Sequence, residues 1–254
     1  MNRIITLITD FGYKDPFVGQ MKGVILRINP LAKIVDITHH ISSHDIEEAA
    51  HVISESYKYF PEETIHVVVV DPTVGSKRKA LVVKAKGHFF LSPDNGILSY
   101  FFNEGDFEAY VIENEKYLLR KDSPTFQGRD LFAPVAAHLS KGLAIEEFGT
   151  SYPSPVRINF APLSYEEGKI VGAVVRIDKF GNLITNIKVE KDKVKSLEVK
   201  GINLPLVACY ADSQDKPAAL INSDGFLEIF LFRGSAAKTL LIEKGEKVEV
   251  KLIG

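Results

Sequence analysis

The sequence predicts an α/β N-terminal part followed by a compact antiparallel sheet or barrel, on three observations. Two apolar, β-branched runs, Ile4–Thr9 and Thr64–Val70, each discharge onto an aspartate, Asp10 and Asp71. Runs of this kind suit strands covered on both faces, the pattern of a parallel sheet flanked by helices. The composition then changes between Tyr152 and Gly168, where Pro153, Pro155 and Pro162 interrupt regular structure. Beyond that point short alternating runs follow: Val171–Ile177, Leu183–Ile187, Leu206–Tyr210, Ala218–Asn222, Leu227–Phe232 and Lys247–Leu252. The expected domains are residues 1–157 and 169–254, with a linker at 158–168.

In chain order, Asp15 and Pro16 read as cap and first position of a helix through Met21, Val24, Ile25 and Ile28 that stops before Pro30. A short strand, Lys33–Ile37, follows. Asp45 with Glu48 three residues on reads as a capping box for a helix carrying Ile46, Ala49, Ala50 and Ile53. Residues 80–92 form a hairpin around Lys86-Gly87, and the turn at Ser92–Gly96 starts a short helix at Ile97. Thr125–Asp130 gathers polar groups ahead of a helix through Leu131, Val135 and Leu139. The polar clusters Asp178–Asn182 and Asn222–Gly225 are turns between strands.

Composition narrows the function. The chain has 254 residues, 45% of them hydrophobic and 25% charged, as in a soluble globule. A net charge of −2 supplies no footprint for nucleic acid, and Lys77-Arg78-Lys79 reads as a solvated turn. The apolar opening is too short for a signal sequence and no run of about 18 apolar residues spans a bilayer, so a cytoplasmic protein is expected. The single Cys209 excludes an internal disulfide and reads as core filler. One Cys, two Met and Gln only at 20, 127 and 214 fit a thermophilic source. Asp10-Phe11-Gly12 spells the kinase magnesium motif, but no glycine-rich or catalytic loop precedes it. His40 and His44 have a metal-ligand spacing, yet they precede the predicted helix with no Glu between them, so no metal site is expected.

In open α/β sheets ligands meet the carboxyl ends of the strands, so Asp10 and Asp71 predict one shared cleft. Five motifs in order, ITDFGYKDPFVGQMKG, VVDPTVGSKRK, FQGRDLFAPVAAHL, IDKFGNLITNI and INSDGFLEIF, resemble the S-adenosylmethionine (SAM) hydroxide adenosyltransferases. These adenosine-forming SAM hydrolases share a superfamily with the fluorinase and chlorinase. The resemblance implies an α/β N-terminal domain with a mostly parallel sheet and a small antiparallel β-barrel C-terminal domain. It also implies a homotrimer whose active sites lie between subunits, with SAM as substrate and no cofactor. Asp10 is similar to the carboxylate that takes the ribose hydroxyls, Asp178 to the partner of the methionine ammonium, and Ser223 to a methionine carboxylate contact. Phe180 and Asn182 resemble the residues around the adenine.

Asp71 and Arg78 match the first two members of the family's water-handling Asp, Arg, His triad. The third differs, because the family's Phe-His-Gly-Arg-Asp is Phe126-Gln127-Gly128-Arg129-Asp130 here. Gln127 can orient a water and cannot take its proton. His138 reads as a helix position and not as a substitute. The expected activity is hydrolysis of SAM to adenosine and L-methionine, with Asp71, Arg78 and Gln127 as the catalytic residues. The alternatives are a non-catalytic SAM- or adenosine-binding protein, favoured by Gln127, and a SAM-dependent halogenase. The fluorinase pattern has Tyr at the position of Asp71, Ser at that of Gly128, and a long insertion that this chain lacks.

Overall fold

The computed structural model describes residues 3–119 and 124–253. The chain divides into two compact units, Met1–Ile158 and Asn159–Gly254. In the first, a six-stranded sheet is built from β1 (Ile4–Thr9), β2 (Lys33–Thr38), β3 (Ile65–Val69), β4 (Ala80–Ala85), β5 (His88–Pro93) and β6 (Phe107–Val111). Its order is β2-β1-β3-β5-β4-β6. The pairs β1/β2, β1/β3 and β3/β5 are parallel, and β4 runs antiparallel to both its neighbours. Helices α1 (Phe17–Ile28) and α4 (Ala133–Ser140) cover one face, while α2 (Ile46–Ser56) and α3 (Ser99–Asn103) cover the other.

Alternation along the strands explains why both faces are dry. Ile5, Leu7, Val67 and Val69 enter the core under α1 and α4, whereas Ile8, Val68 and Val70 enter the one under α2. Helix α1 begins at Phe17 with Pro16 as its cap, one residue later than predicted, and Asp15 makes no capping bond. Asp45 does cap α2, accepting the Glu48 N–H at 2.9 Å. The Glu48 carboxylate turns instead to Ser42 N–H at 2.9 Å, so the reciprocal half of the box is absent. The predicted hairpin turn forms at Lys86 and Gly87, with φ of 50° and 77°. Helix α3 starts at Ser99, after a turn that takes up Ile97.

The second unit is an antiparallel, barrel-like sheet. It contains β7 (Ser164–Glu166), β8 (Lys169–Ile177), β9 (Leu183–Lys188), β10 (Val194–Val199), β11 (Ile202–Leu204), β12 (Ala218–Ile221), β13 (Phe226–Phe230) and β14 (Lys247–Leu252). The order is β11-β10-β14-β8-β9-β13-β12, with β7 on β8. A short helix, α5 (Ala236–Leu240), adds Ala236 to its core. The predicted strand Leu206–Tyr210 is not one: Leu206 makes an isolated bridge to Ala219, and Tyr210–Ser213 is a 3-10 turn. Pro205 has no N–H to extend a ladder there. Cys209 caps that turn and is exposed, which corrects its reading as core filler.

A buried polar chain crosses the first unit. Thr6 Oγ1 lies 2.7 Å from His66 Nδ1, and His66 Nε2 lies 3.2 Å from His88 Nδ1. Burial pushes the His66 imidazole down to about 3, and the neighbouring His88 acts in the same direction. The unfolded chain therefore binds a proton that the folded chain refuses, and stability rises with pH between these limits. It is complete above about pH 6.5 and falls towards about pH 3, by up to about 1.4 kcal/mol per pH unit from this group. Urea denaturation at about pH 7 and pH 5 is expected to show that loss. His66→Gln should flatten the slope, and an unchanged slope would assign it to other groups.

Candidate active site

Strand β1 leads to β2 on one side of the sheet, and the chain then returns to place β3 on the other side of β1. The neighbours β1 and β3 thus flank a topological switch point, where a crevice opens beyond their carboxyl ends. Asp10 follows β1 directly and Asp71 follows β3 by two residues, so both carboxylates reach this crevice. A cavity of about 520 Å³ occupies it, lined among others by Asp10, Asp71, Gln127, Phe11, Phe17 and Phe126.

Asp71 is held on every side. Arg78 Nε donates to Oδ1 at 3.0 Å, and Arg78 Nη2 donates to Oδ2. The Thr73 N–H and hydroxyl both reach Oδ1 at 3.3 Å. The two side chains are only 5% and 8% exposed, a nearly dry bidentate pair. Arg78 Nη2 also donates to Gln127 Oε1 at 2.7 Å. An arginine nitrogen accepts nothing, so this bond settles the amide: oxygen towards Arg78, the two N–H donors left over for the cavity. Behind the loop, Asn95 Nδ2 bonds the Val70 carbonyl at 2.9 Å, so the Asn95-Gly96 turn also pins the exit of β3.

Gln127 stands at the mouth of a π-helical turn, Gly128–Phe132, which runs into α4. Sequence reasoning placed an ordinary helix there. The Ala133 N–H bonds the Gly128 carbonyl, and this wider turn presents Gln127 at the helix start, as such turns often do at functional sites. The aromatic wall was also missed. Phe11, Phe17 and Phe126 form a triangle of edge-to-face contacts, with centroids 5.2 to 5.7 Å apart. Phe11 sits in the first motif and Phe126 in the third, so only the fold could show that they meet.

In the second unit Asp178 organises its own turn. Its Oδ1 accepts the N–H groups of Phe180 at 2.8 Å and Asn182 at 2.9 Å, and its Oδ2 accepts Asn182 Nδ2 at 3.0 Å. Gly181 has φ 86°, and a side chain there would collide with Ser235. Asp178, Phe180 and Asn182 line a cavity of about 580 Å³, and Phe180 is 66% exposed. Asp178 also lines a second cavity of about 440 Å³ together with Ser223, Tyr210 and Glu228. Ser223 lies in a turn held by Asn222 Oδ1, which accepts the N–H groups of Asp224 and Phe226 at 3.0 Å. Glu228 went unnoticed in the sequence. It is buried and accepts the Tyr210 hydroxyl at 2.7 Å. Burial pushes its carboxyl up and the Asp178 charge adds to this, against the bonds from Tyr210 and Asn222.

Residues 5–149 match the SAM hydroxide adenosyltransferase N-terminal domain, and residues 172–249 match the C-terminal domain. The chain belongs to the SAM hydroxide adenosyltransferase family. Among relatives of this family, an (R)-S-adenosyl-L-methionine hydrolase of Methanocaldococcus jannaschii is 37% identical, over 97% of this chain and 95% of the relative. A fluorinase of an Actinoplanes species is 30% identical over 90% of each chain. An uncharacterised conserved protein from Thermotoga maritima has the same fold, with a TM-score of 0.91, 36% identity and coverage of 97% and 99%.

Gly128 lines the cavity and leaves little room for a side chain. A Cβ built there would stand 3.1 Å from Phe126 Cε2, 3.2 Å from Met21 Sδ and 3.3 Å from Phe11 Cε2. Gly128→Ala is expected to cost about 1–3 kcal/mol of stability, the usual penalty for overpacking. A chemical denaturation midpoint equal to that of the wild type would show that the aromatic wall yields.

Proposed function

We propose that this chain hydrolyses SAM to adenosine and L-methionine by displacement at C5′. The single observation that carries the reading is the chain Asp71–Arg78–Gln127, which ends in two amide donors facing a cavity that Asp10 also lines. Asp10 takes the ribose hydroxyls, and Asp178, Phe180, Asn182 and Ser223 serve the adenine and methionine parts. Arg78 fixes Asp71 as an anchor, so the water is placed rather than deprotonated by a side chain. The proton leaves to solvent when the C5′–O bond forms and the C5′–S bond breaks. The sulfonium departs as a neutral thioether, so the step needs neither a general acid nor a cofactor. Alignment can supply about 7–11 kcal/mol in favourable cases.

The reading extends to a homotrimer, acting in the cytoplasm, in which the first unit of one subunit and the second unit of the next complete each site. Its support is that the nucleophile and ribose groups belong to one unit and the adenine and methionine groups to the other. The second reading, a protein that holds SAM without turnover, is favoured by one observation: Gln127 cannot titrate.

Purified protein incubated with SAM in halide-free buffer is expected to release equimolar adenosine and methionine by chromatography. Asp71→Asn should lose most of that turnover, whereas SAM bound stoichiometrically and recovered intact would establish the binding protein. Gln127→His should raise the rate, because a general base is worth about 10²–10⁴. Mixing Asp10→Ala and Asp178→Ala subunits should restore activity that neither has alone. No recovery after confirmed subunit exchange would place each site within one subunit.

A further inference from the structure

The exit of β1 is stitched to one histidine outside the cavity. His39 and Thr9 are both fully buried, and Thr9 Oγ1 lies 2.8 Å from His39 Nδ1. The other ring nitrogen, Nε2, lies 3.2 Å from Asp36 Oδ1 in a bent contact, and neither atom has a better-aligned partner among the described residues. Asp36 is an acceptor, so the proton of the neutral ring sits on Nε2 and leaves Nδ1 to accept. The Thr9 hydroxyl then donates to His39, and its oxygen is free to accept the Phe11 N–H at 3.2 Å.

The backbone repeats the stitch. The Gly12 N–H bonds the His39 carbonyl at 2.7 Å, and the Ile41 N–H bonds the Thr9 carbonyl at 3.4 Å. Farther along the same segment, the His44 N–H donates to Asp10 Oδ2 at 2.9 Å. Thr9 and Gly12, which bracket Asp10 and Phe11, are thus bonded to His39, and one carboxylate oxygen of Asp10 is held by His44 in the turn that follows. Burial keeps the His39 ring below its ordinary pKa, although Asp36 pulls the other way, and Lys22 and His40 add to the lowering. Lys22 Nζ and the Tyr13 hydroxyl bond Asp36 Oδ2 at 2.6 and 3.0 Å, so that carboxylate is itself fixed.

We infer that His39 is a positioning residue for the adenosine diol, acting through Thr9 and the Phe11 N–H to set the direction of the Asp10 carboxylate. The inference rests on the reading that Asp10 takes the ribose hydroxyls. It gives a function to a histidine that touches neither the cavity nor the reacting atoms.

The test is calorimetric binding of adenosine and of 2′,3′-dideoxyadenosine, which lacks both hydroxyls. His39→Ala and the near-isosteric Thr9→Val should each weaken adenosine by about tenfold, the scale of a hydrogen bond to a charged group, and leave the dideoxy ligand unchanged. A merely structural role would weaken both ligands alike and would overturn the inference, as would unchanged adenosine binding in Thr9→Val. Asp10→Ala separates the two readings. If it also loses only the preference for the diol, the ribose assignment stands and His39 is judged on its own variants. If Asp10→Ala keeps the diol preference, the ribose assignment itself has failed.

Discussion

The ion pair between Asp71 and Arg78 is the contact on which the candidate site depends. It joins the exit of β3 to the end of the loop that leads into β4, and through Gln127 it reaches the π-helical turn before α4. A nearly dry ion pair is weak support for stability, because desolvating two charges offsets most of their attraction. Well-packed apolar side chains could close the same loop. What they could not do is fix the orientation of a neighbouring amide, and that orientation decides what the cavity wall offers a ligand. The cost of burying the pair is met by the sheet beneath it, where β1 and β3 are covered on both faces and hold their carboxyl ends in register.

Much of this arrangement was legible in the sequence because it follows from local rules. Ile4–Thr9 and Thr64–Val70 read as doubly covered strands since every residue in them except His66 is apolar or β-branched, and their terminal aspartates marked the crevice. The Lys86-Gly87 turn was legible too. Its twin at Lys200-Gly201, with φ of 49° and 74°, was overlooked, and the hairpin β10–β11 was lost with it. The first turn lies between the long buried runs of β4 and β5, whereas β11 has three residues with two of them exposed, so no apolar run marked the second. Leu206–Tyr210 failed in the opposite direction: its apolar residues looked like a strand, but pairing decides a strand, and Pro205 and the Asp212 cap oppose it. The aromatic triangle and Glu228 were illegible for a third reason. Each is a meeting of residues far apart in sequence, which composition and spacing do not encode.

The Asp178 turn shows why a bland reading and a functional one need not compete. Three of its acceptor positions are spent on Phe180 and Asn182, which is enough to explain an aspartate in that loop. The same bonds fix the Phe180 backbone, and the residue is two-thirds exposed. An isolated exposed phenylalanine is ordinary, but one on a carboxylate-capped turn at the rim of a cavity has already lost the backbone entropy that ligand stacking would otherwise cost. The turn is therefore structural in its bonds and preorganising in its effect.

Gln127 tests how much of the displacement the protein must perform chemically. A base in its place would be worth about 10²–10⁴ in rate, or roughly 3–5 kcal/mol. Alignment of nucleophile and C5′ in a water-poor cleft is worth about 7–11 kcal/mol in favourable cases. The larger quantity needs donors in fixed places, and the Arg78 bond gives Gln127 two of them. A substrate with a poor leaving group would still demand proton transfer, and glutamine could not serve it. A sulfonium makes no such demand, so the site can dispense with a titrating side chain only because its substrate carries the positive charge that drives departure.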